Sequence, residues 1–224
     1  MKPTKTADRQ RYHITQKQAV KQRPIYRQLG VIILYQKKPS PSIAVLVLCL
    51  QMVFAELILT ERPDCIINSG VAGGIDNRLK VGDFVLGGQV AYHDVWCGEG
   101  NLRGQVQGLP QRFCADSSLL SCARGLKTEN VTLHEGLICT GDQFLTTLEE
   151  DMKVKKLYPD ALACDMESAA IAQVCLHYGV PFLSFRAISD VVTPQCDHQQ
   201  TYDGFWADLK ANSFSLLKQL LDNI

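Results

Sequence analysis

Residues 165–190 read DMESAAIAQVCLHYGVPFLSFRAISD, a helix pattern followed at once by a strand pattern. Asp165 is expected to open the helix, with Ala170, Val174, Cys175 and Tyr178 on its apolar side. Gly179 and Pro181 supply the stop, because glycine closes a helix easily and proline cannot continue one. Pro181 to Ser189 reads as a buried strand with Arg186 inside it. A helix feeding such a strand is a unit of an α/β domain.

The neighbouring segments extend the alternation. Phe205 to Ile224 is expected to form a last amphipathic helix, with Phe205, Leu209, Leu216, Leu217, Leu220 and Leu221 available for burial. Upstream, His134 to Cys139 leads, strand-like, into Thr140-Gly-Asp142, and Ser117 to Leu126 suits a short helix. Residues 97–112 are a long glycine-containing loop, a type of segment that often carries function. Val81 to Val95 holds strand-like stretches broken by Gly82-Asp83 and Gly87-Gly88. Cys65 to Asn68 is a short buried strand running into Ser69-Gly-Val-Ala-Gly-Gly74. Before it, Ala55 to Thr60 reads as the end of a helix and Pro63-Asp64 as a turn. Strands alternating with helices imply a sheet covered on both faces.

Composition narrows the function classes. The 224 residues are 46% apolar and 21% charged, with zero net charge, which gives no global reason to expect nucleic acid as a partner. The zero hides a split. Residues 1–40 carry ten Lys/Arg against one acid, Asp8, a net of +9; the other 184 residues carry thirteen basic and twenty-two acidic side chains, a net of −9. Such a start suits an organellar transit peptide, a solvated tail, or a segment foreign to the fold. It is also too polar to fill a buried strand, so residues 1–40 are expected to lie largely outside the core. The apolar run Ile43 to Leu59 contains Glu56 and falls short of the roughly 20 clean residues of a spanning helix, so no membrane span is expected. Nine scattered cysteines form no Cys-x-x-Cys pair, which argues against a metal site or disulfide framework and for the cytoplasm.

Three segments carry candidate chemistry, and each sits where a strand ends, the place where ligands bind such sheets. The first, Asn68 to Gly74, lacks the spacing of a dinucleotide fingerprint; its glycines serve either a tight turn or a close approach of backbone to ligand. The second pairs Gly141-Asp-Gln-Phe-Leu145 with Asp165-Met-Glu-Ser168. Phe144 could be a plain core aromatic or a stacking surface for a purine. Glu167 could complement a helix dipole or accept hydrogen bonds from two ribose hydroxyls. The third is Arg186-Ala-Ile-Ser-Asp190, where a buried arginine needs a partner, either Glu167 or Asp190.

Taken together the segments resemble the 5′-methylthioadenosine/S-adenosylhomocysteine nucleosidase family of the purine nucleoside phosphorylase-like superfamily. The resemblance covers Ala55 to the end and is carried by Gly136-Leu-Ile-Cys-Thr-Gly-Asp-Gln-Phe144, Asp165-Met-Glu-Ser-Ala-Ala170 and Phe185-Arg-Ala-Ile-Ser-Asp190. Val81-Gly-Asp83, Tyr92-His-Asp94 and Gly104-Gln105 add to it. It implies a three-layer α/β domain with a mixed central sheet, no cofactor, no metal, and a homodimer that cleaves adenine from thionucleosides. It also implies that Asp190 protonates adenine N7, and that Glu167 holds the ribose hydroxyls with Met166 packed beside the sugar. Phe144 and Leu145 would contact the base and Gly73 would offer a backbone contact, with Arg186 and Ser189 in support. Rival readings on the same fold are a nucleoside phosphorylase and a futalosine hydrolase; a rival of another class is a non-catalytic protein that binds adenine nucleosides.

The resemblance stops at the N-terminus. The family places a water-activating glutamate there, in a Gly-x-x-x-Ala-Met-x-x-Glu stretch, whereas residues 1–54 contain no glutamate. Val71 also stands where many members have serine. Read one base out of frame, codons for residues 43–54 permit Ser-Gly-Ile-Gly-x-Val-x-Ala, similar to the family's segment before this helix. The chain therefore divides into 1–54, an atypical basic segment that a shifted reading frame would explain, and 55–224, the nucleosidase-like domain. Hydrolysis by this chain is expected to be very weak or absent.

Overall fold

The computed structural model describes residues 46–128, 131–191 and 212–224. In chain order the elements are α1 (Leu46–Glu61), β1 (Ile66–Gly74), β2 (Phe84–Tyr92), β3 (Phe113–Cys114), α2 (Ser117–Arg124), β4 (Leu133–Thr140), α3 (Leu148–Leu157), β5 (Ala161–Asp165), α4 (Ser168–Tyr178), β6 (Phe182–Val191) and α5 (Asn212–Asp222). The strands form one mixed sheet in the order β3-β2-β4-β5-β1-β6, and β2 also pairs with β6. That last pairing is antiparallel and curls the sheet back on itself.

Side-chain alternation along the strands sends successive residues to opposite faces, and separate cores form on each. Ile66, Val85, Val90, Ile138 and Ile188 pack with Phe54 and Ile58 of α1 and with Ala169 to Ala172 of α4. Their sequence neighbours Ile67, Phe84, Leu86 and Leu183 pack with Leu119, Leu120 and Ala123 of α2 and with Leu216, Leu217, Leu220 and Leu221 of α5. Ala91, Leu137 and Cys139 meet Val154 of α3 and Tyr158. These are the three layers, with the sheet in the middle.

Several local expectations are corrected. Asp165 does not open the helix: it ends strand β5, and α4 starts at Ser168. The stretch Ala161-Leu-Ala-Cys-Asp is too alanine-rich to signal a strand, and it forms because β4 supplies a parallel neighbour. Helix α3 carried no apolar stripe strong enough to notice, yet Thr147 and Glu150 form a complete capping box that could have marked its start. Gly87-Gly88 does not break β2, which absorbs the irregularity as a register shift against β4. A side chain at Gly87 would crowd Ser184 Cβ at 2.9 Å, so the glycine serves packing. Tyr178, in the final turn before Gly179, is exposed, while Ala170, Val174 and Cys175 are buried as expected. Gly179 does take the left-handed conformation, φ 68°, that closes α4.

Helix α1 runs without a break through position 54, and Phe54 is 1% exposed. The expectation for residues 1–40, and the predicted burial of Phe205 and Leu209, lie outside the described residues. Among the described residues no helix is long and apolar enough to cross a membrane.

Candidate active site

The strand pairing explains how distant segments meet. β1 and β6 run parallel with a register shift after Ala72, which sets Gly70 beside Arg186 and Gly73 beside Asp190. β1 meets β5 antiparallel only at the carboxyl end of each, with Gly73 opposite Cys164. β4 and β5 run parallel and end together at Thr140 and Asp165. The carboxyl ends of four strands thus converge, and the candidate residues hang from them.

Arg186 lies at the centre and is 2% exposed. Its Nη2 donates to Glu167 Oε2 at 2.9 Å and pairs with Asp165 Oδ2 at 2.8 Å. Of the two partners expected from sequence, Glu167 is thus realised, and Asp165 joins it. The guanidinium crosses β1 at Gly70, where an added Cβ would stand 2.2 Å from Arg186 Nη1. Glycine at 70 is therefore a clearance for the arginine rather than a turn.

Glu167 is buried at the N-cap of α4 and makes no side-chain bond to the helix end. Burial pushes its carboxyl above the usual range, and Arg186 opposes that shift. Asp165 takes over the helix end. Its Oδ1 accepts from Glu167 N at 3.3 Å, Ser168 N at 3.2 Å and Thr140 Oγ1 at 2.6 Å, and its Oδ2 accepts from the Ser168 hydroxyl. Behind it the Ser168 and Ser184 hydroxyls are 2.7 Å apart, and Asn68 Nδ2 donates to Ser168 Oγ at 3.1 Å. Sequence reading missed Asp165, Thr140, Ser168, Ser184 and Asn68 as a network. The available signal was a polar residue at the interior or end of each apolar strand.

Asp190 is 5% exposed and accepts from Ser189 Oγ at 2.7 Å, while Ser189 also reaches Ala72 O at 3.3 Å. Gly73 faces it closely: an added Cβ would lie 3.1 Å from Asp190 Oδ2. Met166 is half-buried between Asp165 and Glu167. Phe144 is 42% exposed, so it is not a core aromatic, while Leu145 packs partly against the Tyr158 cluster. Their loop is tied down by Asp142 N donating to Asp94 Oδ2 at 2.7 Å and by His93 packing over Gly141. Burial lowers the basicity of the His93 ring. Arg186, Gly73, Ser189 and Asp190 are thus built into strands, whereas Phe144, Leu145, Met166 and Glu167 sit on the connections leaving them. Among the described residues no cluster of His, Cys, Asp and Glu is placed to hold a metal.

Residues 23–222 match the Phosphorylase superfamily. A 5′-methylthioadenosine/S-adenosylhomocysteine nucleosidase of Marinomonas sp. is 37% identical over 169 residues, 74% of this chain and 72% of that protein. The chain belongs to this nucleosidase family of the phosphorylase superfamily. Solved structures agree. The nucleosidase of Colwellia psychrerythraea, in complex with adenine, superposes with a TM-score of 0.73 at 33% identity, covering 79% of this chain and 74% of that one. The S-adenosylhomocysteine nucleosidase of Streptococcus pyogenes, in complex with 5-methylthiotubericidin, has a TM-score of 0.73 at 31% identity and covers 79% and 75%.

The arginine pair makes a stability prediction. Arg186→Met leaves two buried carboxylates without their cation, at a cost of about 3–5 kcal/mol. Losing Arg186 also raises the folded-state Glu167 pKa further. A carboxyl with a raised folded pKa favours the fold below its unfolded value, about 4.3, and that contribution fades as pH climbs through the folded value. The gap between variant and parent should therefore be small near pH 4 and widen toward pH 7. Urea unfolding across that range checks it; a gap independent of pH would contradict the assigned electrostatics.

Proposed function

We propose that this chain hydrolyses the N-glycosidic bond of 5′-methylthioadenosine and S-adenosylhomocysteine and releases adenine. The observation that carries the reading is Glu167, buried on Arg186 at strand ends that also present Asp190 against Gly73. Glu167 accepts the ribose hydroxyls, a task suited to a two-oxygen acceptor already fixed by a charge-assisted bond. Asp190 delivers a proton to adenine N7 as the bond breaks, with Ser189 orienting its carboxyl. Met166 packs on the sugar. The exposed Phe144 ring stacks on the base, and the Leu145 and Gly73 backbones contact the ligand. Leaving adenine gathers electron density that the proton neutralises, while positive charge on the ribosyl carbon is stabilised by the nearby carboxylates.

Seven described cysteines are free thiols, which suits the cytoplasm. Exposed Phe144, Leu148 and Met152 offer apolar surface that a homodimer would cover. The substrate pair suits a role in methionine salvage. The segments 1–54 and 55–224 remain our division of the chain by composition, although helix α1 crosses it.

A slower variant of the same function is favoured by two features of the sequence. No glutamate precedes Glu56, and Val71 stands where many relatives have serine, so the attacking water lacks its usual base. Glu99 in the exposed loop is a candidate substitute. We expect turnover of 5′-methylthioadenosine below about 1 s⁻¹ and unchanged by added phosphate. An adenine-release assay measures both; faster turnover assigns water activation to another residue, and a phosphate requirement makes the reaction phosphorolysis.

Two variants test the roles. Glu167→Gln should weaken binding of a nucleoside far more than of free adenine, and equal losses by calorimetry would remove Glu167 from the sugar. Asp190→Asn keeps the shape but cannot deliver the proton, so turnover should fall roughly 10²–10⁴-fold with binding largely kept. Near-parental turnover would place the acid elsewhere.

A further inference from the structure

The start of helix α4 departs from the usual arrangement. An N-cap side chain ordinarily accepts from the first free N–H groups of its helix. Glu167 occupies that position with φ −133° and ψ −37°, yet its carboxylate does not cap. The donors are satisfied from elsewhere: Ser168 N by Asp165 Oδ1 at 3.2 Å, and Ala169 N by Thr140 Oγ1 at 2.9 Å. Asp165 then divides its oxygens. Oδ1 serves the helix end and Thr140, while Oδ2 faces Arg186 at 2.8 Å and takes the Ser168 hydroxyl.

We propose that Asp165 is a positioning residue for the ribose-binding carboxylate. It caps α4 in place of Glu167 and meets the same Arg186 Nη2, so that nitrogen is shared between two carboxylates and Glu167 stays turned toward the ligand. With Asp165 neutral, Arg186 would draw Glu167 into a closer pair and away from the hydroxyls. With the cap missing, the Glu167 carboxylate would compete for the helix N–H groups. The residue acts through Glu167 and touches neither base nor sugar. The inference rests on the ribose role proposed for Glu167.

Calorimetry on the full chain with two ligands tests it: adenine, and 5′-methylthiotubercidin, a ribosyl nucleoside whose base has carbon at the adenine N7 position. Asp165→Asn keeps an oxygen for the helix end but removes the charge facing Arg186. Nucleoside affinity should fall roughly tenfold or more, and adenine affinity less than about threefold. Combining Asp165→Asn with Glu167→Gln should cost no more nucleoside affinity than Glu167→Gln alone, because both changes remove one interaction. Equal losses for both ligands, an additive double variant, or no loss at all would show a merely structural residue and overturn the proposal. Should Asp165→Asn fail to melt cooperatively, Thr140→Val, which removes a donor to the same Oδ1, should give a smaller loss with the same selectivity. An unselective or absent effect there overturns it too. Glu167→Gln alone keeps the two ideas apart: unselective loss in that variant defeats the ribose reading itself, whereas selective loss there with unselective loss in Asp165→Asn defeats only the role of Asp165.

Discussion

A single buried guanidinium sets the conditions that the rest of the site obeys. Arg186 is held inside a strand with almost no solvent contact, and removing such a charge from water costs several kcal/mol even after relaxation. Two carboxylates offset that cost, and they come from one short connection, Asp165 to Glu167. For the three groups to meet, β5 must end beside β1, α4 must begin at once, and position 70 must carry no side chain. A fold that satisfied only two of these requirements would leave a charge buried without a partner.

The converging strand ends follow from the same demand. Had β1 and β5 paired along their length, Gly73 and Asp165 would lie at opposite ends of the sheet, as antiparallel strands place them. Pairing confined to Gly73 and Gly74 brings the carboxyl ends together instead, and the parallel β1–β6 pair carries Asp190 to the same place. Closure of β6 onto β2 then fixes the other side, with Arg186 opposite Val85. Chemistry at the carboxyl ends of strands is a general habit of α/β sheets. Here its local cause is a register that stacks glycines 70 and 73 against the two side chains that need space.

Residues whose signal is local were legible in the sequence. The buried strand with Arg186 inside it, the stop at Gly179 and Pro181, and the glycine-rich end of β1 are properties of ten-residue windows, and each appears where it was expected. The family resemblance supplied Glu167, Asp190 and Phe144 as candidates, and the structure brings Glu167 and Asp190 to strand ends that meet. What was not legible depends on contacts made across the chain. Strand β5 is five residues of weak propensity made into a strand by β4, and the curl of β2 onto β6 joins residues about a hundred positions apart. Asp165 was misread for the same reason. An acid just before a helix ordinarily reads as its first residue, and only the length of β5 shows that it belongs to the strand and reaches back to cap.

The spacing of charges along β6 completes the picture. Arg186 and Asp190 stand four positions apart, roughly 13 Å between their backbones along an extended strand. The chain between them is buried and apolar except for Ser189, so mobile ions screen little there and separation alone weakens the cation's field at Asp190. The cation therefore acts chiefly on Glu167, where burial alone would favour a neutral carboxyl that binds hydroxyls poorly as an acceptor. Asp190, the proposed proton donor, accepts from the Ser189 hydroxyl at 2.7 Å. Two carboxylates at one site can take different roles only if their surroundings differ, and the strand keeps them different by distance. An arginine moved two positions along β6 would keep its face of the sheet and its burial, but it would bring its field to the wrong carboxylate.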